Sequence, residues 1–312
     1  MIGAVDIGGT KIAVGQVSED GRVLSRLECP TDAARGYSNA VERIAEMLRQ
    51  TARNANAEMK GIGIGCTGPV YPFTGEIGVV DFLPGWERKN PVADLSQLFN
   101  TRVAMENDAD AAALGETFCG AGKGKRSVVY VTVGTGIGGG LILDGRLYRG
   151  VDRSHPEIGH HVIDPAGPRC FCGARGCWEV LARGPAMVEW LTSQATKDYP
   201  HLEGVTAKKI CELAQAGDQL ACRSVDREAY YLGLGLANLI TLFAPEAIVL
   251  GGNVMGSAPL FWEGIRKAIA TNCGLVPFDK TELRLASLGS DAPLIGAAQV
   301  WHHRFAQDER TI

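Results

Sequence analysis

A weak internal duplication constrains the fold of this chain more than any other feature of its sequence. Residues 4–24 suggest a strand, a Gly/Thr turn, a second strand, an Asp-Gly turn and a third strand. Residues 128–147 repeat that order, with Gly134-Thr135-Gly136 as the Gly/Thr turn and Asp144-Gly145 as the Asp-Gly turn. Two copies of one supersecondary unit predict two related α/β domains.

Hydrophobic periodicity predicts the remaining elements. Helices are expected at residues 38–53, 91–98, 108–118, 220–242 and 293–305, and further strands at 60–65, 102–105 and 246–250. We therefore place an N-terminal α/β domain at residues 1–119 and a C-terminal α/β domain at 120–292. The last helix, in the segment 293–312, is expected to pack back on the N-terminal domain.

The composition is that of a globular protein and argues against several classes of function. The net charge of −4 favours neither nucleic acid nor an anionic membrane, and no apolar run approaches the length of a membrane span. The N-terminus lacks the basic and apolar segments of a secretory signal. Nine cysteines, an odd number, fit a reducing cytoplasm better than a disulfide framework. We expect a cytoplasmic protein that binds small molecules.

Four metal ligands are concentrated in one short segment. His160, Cys170, Cys172 and Cys177 have the spacing His-x9-Cys-x-Cys-x4-Cys. Four nitrogen and sulfur donors form a closed tetrahedral site for Zn²⁺ and leave no open position for a catalytic water. The spacing therefore predicts a structural zinc rather than an accidental group of free thiols.

Two glycine-rich turns are candidates for binding phosphate. The segment Asp6-Ile7-Gly8-Gly9-Thr10-Lys11 directly follows the first strand. Its glycines let main-chain N–H groups approach phosphate oxygens, Thr10 adds a hydroxyl donor, and Asp6 can hold Mg²⁺ directly or through water. Alone, the segment could equally be a hairpin turn. The corresponding Gly134-Thr135-Gly136 turn favours the phosphate interpretation, because two such turns facing across a cleft would hold a triphosphate.

Other phosphate motifs fit the sequence less well. The chain has no Gly-x-x-x-x-Gly-Lys-Ser/Thr motif, which excludes a P-loop. Two segments, 134–139 and 63–68, match the dinucleotide pattern Gly-x-Gly-x-x-Gly, but neither opens into a predicted helix. Gly251-Gly252, after the strand at 246–250, is a third candidate contact, near a base or ribose. A plain strand-to-loop turn is the alternative there.

Polar side chains follow the strand that ends at Met105. Asp108 stands at the start of a predicted helix, where a carboxylate is often a simple N-cap. The end of a strand is also where ligands bind in α/β sheets. A carboxylate at this position could take the proton of a sugar hydroxyl that attacks a γ-phosphate, and Asn107 could bind adjacent hydroxyls.

Five motifs, taken together and in chain order, resemble those of the ROK family (repressors, open reading frames and kinases). They are Asp6–Lys11, Glu106–Ala113, Val131–Gly140, Glu157–His160 and Cys170–Glu179. The resemblance covers essentially the whole chain. It implies the actin-like, ribonuclease-H-like ATPase fold of sugar kinases, with an active-site cleft between two lobes and an inserted zinc-binding loop.

The resemblance also implies roles for individual residues. Asp108 would be the catalytic base, and His160 would belong to both the sugar site and the zinc site. The implied sugar-binding residues are Gly68, Asn107, Asp108, Glu157, His160 and Glu179. The implied reaction is transfer of the γ-phosphoryl group of ATP, with Mg²⁺, to the 6-hydroxyl of glucose, and a homodimer or homotetramer is expected.

Two departures from the family pattern lie near the expected sugar site. The segment Ser154-His155-Pro156-Glu157 replaces a small residue and glycine before the glutamate, and Phe82 stands where the family usually has asparagine. Some fructose-phosphorylating relatives carry a similar His-Pro-Glu. N-acetylmannosamine, N-acetylglucosamine, fructose and mannose are therefore alternative acceptors, and polyphosphate is an alternative donor.

Two further interpretations belong to other functional classes. A sugar-sensing ROK repressor would carry a helix-turn-helix before the Asp-x-Gly-Gly-Thr segment, and only five residues precede Asp6. We therefore expect no DNA-reading module and no nucleic-acid partner. The other class is a non-catalytic, zinc-stabilised binding protein. Such a protein would not need the Asn107-Asp108 pair, so the presence of the pair argues against this interpretation.

Overall fold

The computed structural model describes residues 1–56, 58–194 and 204–305. The described residues divide into two compact units. The first contains Met1–Val128, Gly140–Pro156 and the described residues from Ala286 onward, and the second contains Val129–Gly139 and Glu157–Leu285. The domain limits at residues 119 and 292, drawn from the duplication, stay a prediction. Among the described residues, no helix combines the length and apolarity needed to cross a membrane.

A five-stranded sheet forms the framework of the first unit. Its strands are β1 (Ile2–Ile7), β2 (Lys11–Val17), β3 (Val23–Pro30), β4 (Gly61–Cys66) and, after the short hairpin β5 (Val70–Tyr71) and β6 (Glu76–Ile77), β7 (Val103–Asn107). Their order is β3-β2-β1-β4-β7. The pairs β1–β2 and β2–β3 are antiparallel, whereas β4 is parallel to both β1 and β7. The carboxyl ends of β1, β4 and β7 therefore share one edge of the sheet.

Two amphipathic helices cover one face of this sheet. Helix α1 (Tyr37–Ala55) packs Ile44 and Leu48 into a core with Ile62 and Ile64 of β4. Helix α2 (Pro91–Phe99) begins with a proline at its first position, and its N-cap Asn90 accepts a hydrogen bond from the Ala93 N–H at 2.9 Å. The predicted helices at 38–53 and 91–98 are confirmed.

The opposite face of β4 carries no side chains. Helix α9 (Ala292–Phe305) lies so close that a Cβ on Gly63 would stand 1.8 Å from the Ala297 carbonyl oxygen. A Cβ on Gly61 would stand 2.0 Å from the Trp301 ring nitrogen. Alternate residues of a strand point to the same face, so Gly61 and Gly63 leave one flat surface for the helix. The last helix therefore packs on the first sheet, next to α3 (Asp108–Phe118).

We predict that Gly63→Ala lowers the free energy of unfolding by at least about 2 kcal/mol, because α9 must move away from β4. Urea denaturation followed by circular dichroism measures the change. Gly274→Ala is the matched control, since no atom lies within 4 Å of a Cβ built there. Equal stability of the two variants would contradict the proposed close packing.

A second five-stranded sheet repeats the strand order of the first. Its strands are β8 (Val128–Val133), β9 (Ile137–Leu143), β10 (Arg146–Leu147), β11 (Ala247–Gly251) and β12 (Glu282–Leu285). Their order, β10-β9-β8-β11-β12, again places the third, second, first, fourth and fifth strands side by side. The prediction of two related α/β halves is confirmed.

Among the described residues, five α-helices belong to the second unit. They are α4 (Trp178–Ala182), α5 (Gly184–Gln194), α6 (Ala207–Gln215), α7 (Gln219–Phe243) and α8 (Ala258–Asn272). The long α7 confirms the helix predicted at 220–242. Helices α7 and α8 approach closely at two glycines, because a Cβ on Gly233 would lie 2.5 Å from that of Ala268, and one on Gly264 would lie 2.7 Å from that of Ala229.

Candidate active site and metal centre

The four predicted zinc ligands lie together in the second unit. The ligand atoms of His160, Cys170, Cys172 and Cys177 all lie within 4.8 Å of one another. The Nδ1 atom of His160 is 3.5 Å from the sulfur of Cys170, and the sulfurs of Cys172 and Cys177 are also 3.5 Å apart. Donors of a tetrahedral zinc site with Zn–S bonds of about 2.3 Å are separated by about 3.7 Å, so this cluster fits Zn²⁺.

Two glycines allow the chain to wrap around this cluster. Gly173 and Gly176 have φ values of 97° and 66°, in the left-handed region that favours glycine. A Cβ on Gly176 would lie 1.5 Å from the Asp164 carbonyl oxygen. The neighbouring His161 is not a ligand; its Nδ1 lies 2.6 Å from the Ile158 carbonyl oxygen, and burial lowers its pKa.

The metal-binding segment leads directly to Glu179. Trp178 fixes the start of α4, because its ring N–H donates to the Tyr231 carbonyl at 2.9 Å. The Oε2 atom of Glu179 then accepts a hydrogen bond from the Ile137 N–H at 2.9 Å. A Cβ on Gly136 would stand 2.5 Å from that oxygen. This buried carboxylate is therefore tied to the second Gly/Thr turn, a connection that the sequence analysis missed.

A cavity of about 880 Å³ adjoins that turn within the second unit. Its lining includes Gly134 and Thr135 of the turn, Gly184 and Pro185 at the start of α5, and Asn253 after β11. This volume lies within the range of about 300–1,000 Å³ that is common for small-molecule sites. The sequence analysis identified only the Gly/Thr part of this wall. The Gly184-Pro185 pair, which opens a helix, is a signal that could have indicated the rest.

Gly251 and Gly252 immediately precede Asn253 of the cavity wall in the chain. Close packing leaves no room for a side chain at either position. A Cβ on Gly252, at φ 89°, would lie 2.3 Å from the Val133 carbonyl oxygen, and one on Gly251 would lie 2.7 Å from the Tyr130 hydroxyl. The wall itself begins at Asn253. A nucleotide contact of the two glycines stays a prediction.

The first Gly/Thr turn joins β1 to β2 in the first unit. The Gly8 N–H donates to the Lys11 carbonyl at 3.0 Å, and the Thr31 hydroxyl donates to the Gly8 carbonyl at 2.6 Å. A Cβ on Gly9 would lie 2.6 Å from the Cβ of Phe82. Thr10 is exposed, and the Lys11 ammonium is 3.0 Å from Glu28. The substituted Phe82 thus packs against the predicted phosphate turn.

Asp6 and Asp108 lie at the same edge of the first sheet. Asp6 pairs with Gly65 in the β1–β4 register, and Gly65 pairs with Glu106 in the β4–β7 register. A Cβ on Gly65 would be 3.9 Å from both the Asp6 Oδ1 atom and the Asp108 Cα atom. Burial, and then the Asp108 carboxylate, raises the pKa of Asp6 to about 7. Two neighbouring carboxylates here form a site that a cation would stabilise.

Asn107, not Asp108, is the N-cap of α3. Its side-chain oxygen accepts from the Ala109 N–H at 2.8 Å, and the Asp108 Oδ1 atom accepts from the same N–H at 2.8 Å. Burial raises the pKa of Asp108, while this N–H and His155 oppose the rise. Gly68 leaves room for Asn107, because a Cβ there would lie 2.8 Å from the Asn107 amide nitrogen. Helix α3 therefore has an N-cap side chain, but the capping residue is Asn107 and not Asp108.

The predicted site residues divide between the units. Those in the first unit are Asp6, Gly8, Gly9, Thr10, Lys11, Gly68, Asn107 and Asp108. Those in the second unit are Gly134, Thr135, Gly136, Glu157, His160, Cys170, Cys172, Cys177, Glu179, Gly251 and Gly252. Glu157, three positions before His160, has an exposed side chain. The structure brings the zinc ligands together, and it places Asp6, Asn107 and Asp108 at one sheet edge.

Comparison with known proteins decides the family. The model of the ROK family matches residues 2–304. The chain belongs to the ROK family. A glucokinase from Thermotoga maritima is 32% identical over 308 residues, covering 96% of each chain.

Solved ROK structures have the same fold over nearly the whole chain. The ROK hexokinase from Thermus thermophilus is 36% identical, with a TM-score of 0.82 and coverage of 96% of this chain and 97% of that one. A ROK glucokinase from Streptomyces griseus, solved in complex with glucose and AMPPNP, is 33% identical, with a TM-score of 0.78 and coverage of 96% and 98%. The predicted family and its actin-like fold are confirmed.

We predict that Cys172→Ser lowers zinc content well below one ion per chain and reduces thermal stability, because a hydroxyl replaces one of four donors. Elemental analysis and differential scanning fluorimetry measure the two effects. Cys222→Ser, outside the cluster, is the matched control and should retain the metal. Wild-type protein purified with far less than one zinc per chain would contradict the prediction.

Proposed function

We propose that this chain is an ATP-dependent hexose kinase that phosphorylates the 6-hydroxyl of glucose. The observation that carries the proposal is the position of Asp108, beside Asn107 at the carboxyl edge that also carries Asp6 and the first Gly/Thr turn. A carboxylate at a strand end next to a phosphate turn is what transfer of a phosphoryl group to an alcohol requires. Family membership and the glucokinase relatives support the same reaction.

In this mechanism Asp108 acts as the general base. Its ionised carboxylate accepts the proton of the sugar 6-hydroxyl as the hydroxyl oxygen bonds to the γ-phosphorus. The bond between that phosphorus and its bridging oxygen breaks, and the electron pair stays on ADP. The Ala109 N–H, which donates to both side chains, orients Asp108, and the Asn107 amide can donate to a sugar hydroxyl.

Asp6 is the residue that fits a catalytic Mg²⁺. It is half-buried near the Asp108 carboxylate; loss of solvent contact and then that carboxylate raise its pKa to about 7, and a divalent cation would relieve the repulsion. When bound, Mg²⁺ neutralises negative charge on the phosphates. The Gly8 N–H is used within the turn, so the Gly9 N–H and the exposed Thr10 hydroxyl are the proposed donors to phosphate oxygens.

Further groups in the second unit have proposed roles in binding substrates. Glu157, His160 and Glu179 are proposed to bind sugar hydroxyls, and a zinc ion held by His160 and the three cysteines would fix the segment between them. The Gly134-Thr135 turn and the adjoining cavity of about 880 Å³ are proposed to receive the nucleotide.

Several further properties belong to this proposal. ATP is the donor, with polyphosphate as the alternative. The protein is expected to be cytoplasmic and to form a homodimer or homotetramer. Fructose is the strongest alternative acceptor, because His155-Pro156-Glu157 is similar to a segment of fructose-phosphorylating relatives.

We predict that Asp108→Asn lowers kcat by about 10²–10⁴, because the amide cannot accept the proton, while glucose still binds. A coupled ADP assay measures turnover, and calorimetry measures glucose affinity. Asp279→Asn, an isosteric change at an exposed carboxylate, is the matched control. An Asp108→Asn enzyme with near-normal kcat would show that another group is the base.

We predict that glucose has a kcat/KM at least about tenfold higher than N-acetylglucosamine and N-acetylmannosamine, a difference of about 1.4 kcal/mol. A site that hydrogen-bonds a hydroxyl rejects an analogue that lacks it, and Pro156 stiffens the backbone beside Glu157. The assay compares these sugars with mannose and fructose. A tenfold preference for another hexose would change the acceptor and leave the kinase assignment in place.

A further inference from the structure

An exposed aromatic side chain lies directly on the first Gly/Thr turn. Phe82, in the segment between β6 and α2, is 69% exposed. The three atoms nearest to a Cβ built on Gly9 all belong to Phe82: its Cβ, Cγ and Cδ1 atoms would lie 2.6, 3.1 and 3.7 Å away. The ring therefore begins at the backbone of Gly9 and presents most of its surface to solvent beside the turn.

The segment that carries Phe82 is anchored by buried neighbours. Val80, Leu83 and Trp86 belong to the hydrophobic core that α1 shares with the first sheet. The Leu83 N–H donates to the Val80 carbonyl at 3.0 Å, and the Trp86 N–H donates to the Leu83 carbonyl at 3.1 Å. The Trp86 ring also packs edge-to-face with that of Tyr37. The backbone at Phe82 is thus held in place, while its ring stays outside the core.

The chemistry of the proposed reaction brings carbon 6 of the acceptor to this turn. The turn begins at the same edge of the first sheet as Asp108, the proposed base. The Gly9 N–H and the Thr10 hydroxyl are the proposed donors to phosphate oxygens. During transfer the sugar 6-oxygen stands between the base and the γ-phosphorus, in line with the leaving oxygen. The carbon that carries this oxygen is then a neighbour of the turn and of the ring that rests on Gly9.

We propose that Phe82 is a specificity-determining residue: its ring packs against the C–H groups at carbon 6 of the acceptor and keeps water away from the phosphate turn. This inference rests on the proposed kinase function. A phenyl ring accepts no ordinary hydrogen bond, but its apolar surface packs on C–H groups. The asparagine that the family usually has at this position would offer an amide instead. The contact selects sugars with an exocyclic CH₂OH group over pentoses and over water.

Two ligands that differ only at carbon 6 test this contact. 6-Deoxyglucose keeps the carbon as a methyl group, xylose lacks it, and both have the ring hydroxyls of glucose. Neither has a 6-hydroxyl, so calorimetry measures their binding without turnover at that position. One apolar carbon in a matching pocket is worth about 10–200-fold. The wild type should therefore bind 6-deoxyglucose at least about tenfold more tightly than xylose.

The Phe82→Asn variant should lose at least about threefold of this preference, because an amide cannot replace the apolar surface of the ring. Comparing two ligands in two proteins separates the contact with carbon 6 from general effects of the substitution. Phe82→Leu, which keeps an apolar side chain, should retain most of the preference. Because the Phe82 ring lies outside the core and the family usually has asparagine here, Phe82→Asn should fold, and its melting temperature checks this.

Val79→Asn is the matched control. Val79 lies in the same segment and is also exposed, but none of the three atoms nearest to a Cβ on Gly9 belongs to it. Its preference for 6-deoxyglucose over xylose should equal that of the wild type. If fructose proves to be the acceptor, 6-deoxyfructose and xylulose replace this pair of ligands.

Turnover gives a second readout. In Phe82→Asn the KM for glucose should rise about tenfold with a smaller change in kcat, since the contact is present both before and during transfer. More ATP should also be hydrolysed per sugar phosphate formed than in the wild type, because water then attacks the γ-phosphorus and yields ADP and phosphate. A merely structural role of Phe82 would lower the melting temperature and leave this ratio unchanged.

Two results would overturn the proposal. One is an equal preference for 6-deoxyglucose over xylose in Phe82→Asn and the wild type, and the other is a wild type that binds the two sugars equally. A wild-type protein that binds glucose but transfers no phosphoryl group to any hexose would instead overturn the kinase function.

Discussion

The glycine face of β4 is the constraint on which the first unit depends. Gly61 and Gly63 let α9 lie directly on the sheet, and Gly65 leaves space for the start of α3, since a Cβ there would be 3.2 Å from that of Ala111. Because α3 lies this close to β4, Asp108 reaches the strand edge occupied by Asp6. Side chains on this face of β4 would move α3 away and separate the two carboxylates, so the glycine face determines the position of the proposed catalytic base.

Much of this arrangement follows from the sequence alone, because it depends on local patterns. The zinc ligands, the duplicated strands and the long α7 each have a spacing that a single segment reveals. The contact of His155 with Asp110, in contrast, joins residues far apart in the chain and has no periodic signal. The hydrogen bond from the Ile137 N–H to Glu179 likewise joins residues far apart in the chain and has no periodic signal. Only the three-dimensional structure reveals such contacts.

Two different interactions hold the segments that carry the proposed site residues. In the first unit, the buried carboxylates of Glu106 and Asp110 lie against Arg149 and Arg304, which offsets the cost of burying charge. In the second unit, the four clustered nitrogen and sulfur donors lie just before Glu179 in the chain. A zinc ion bound there would hold this segment, because metal binding is coupled to folding. Chelation would therefore loosen the second segment and leave the charge pairs of the first intact.

The departure at His155-Pro156-Glu157 also has a structural consequence. A small residue and glycine at these positions could not contact Asp110, whereas the His155 Nδ1 atom lies 2.9 Å from the Asp110 Oδ2 atom. Pro156 fixes the backbone between His155 and Glu157. The departure therefore attaches the segment that precedes Glu157 to helix α3, which also carries Asp108.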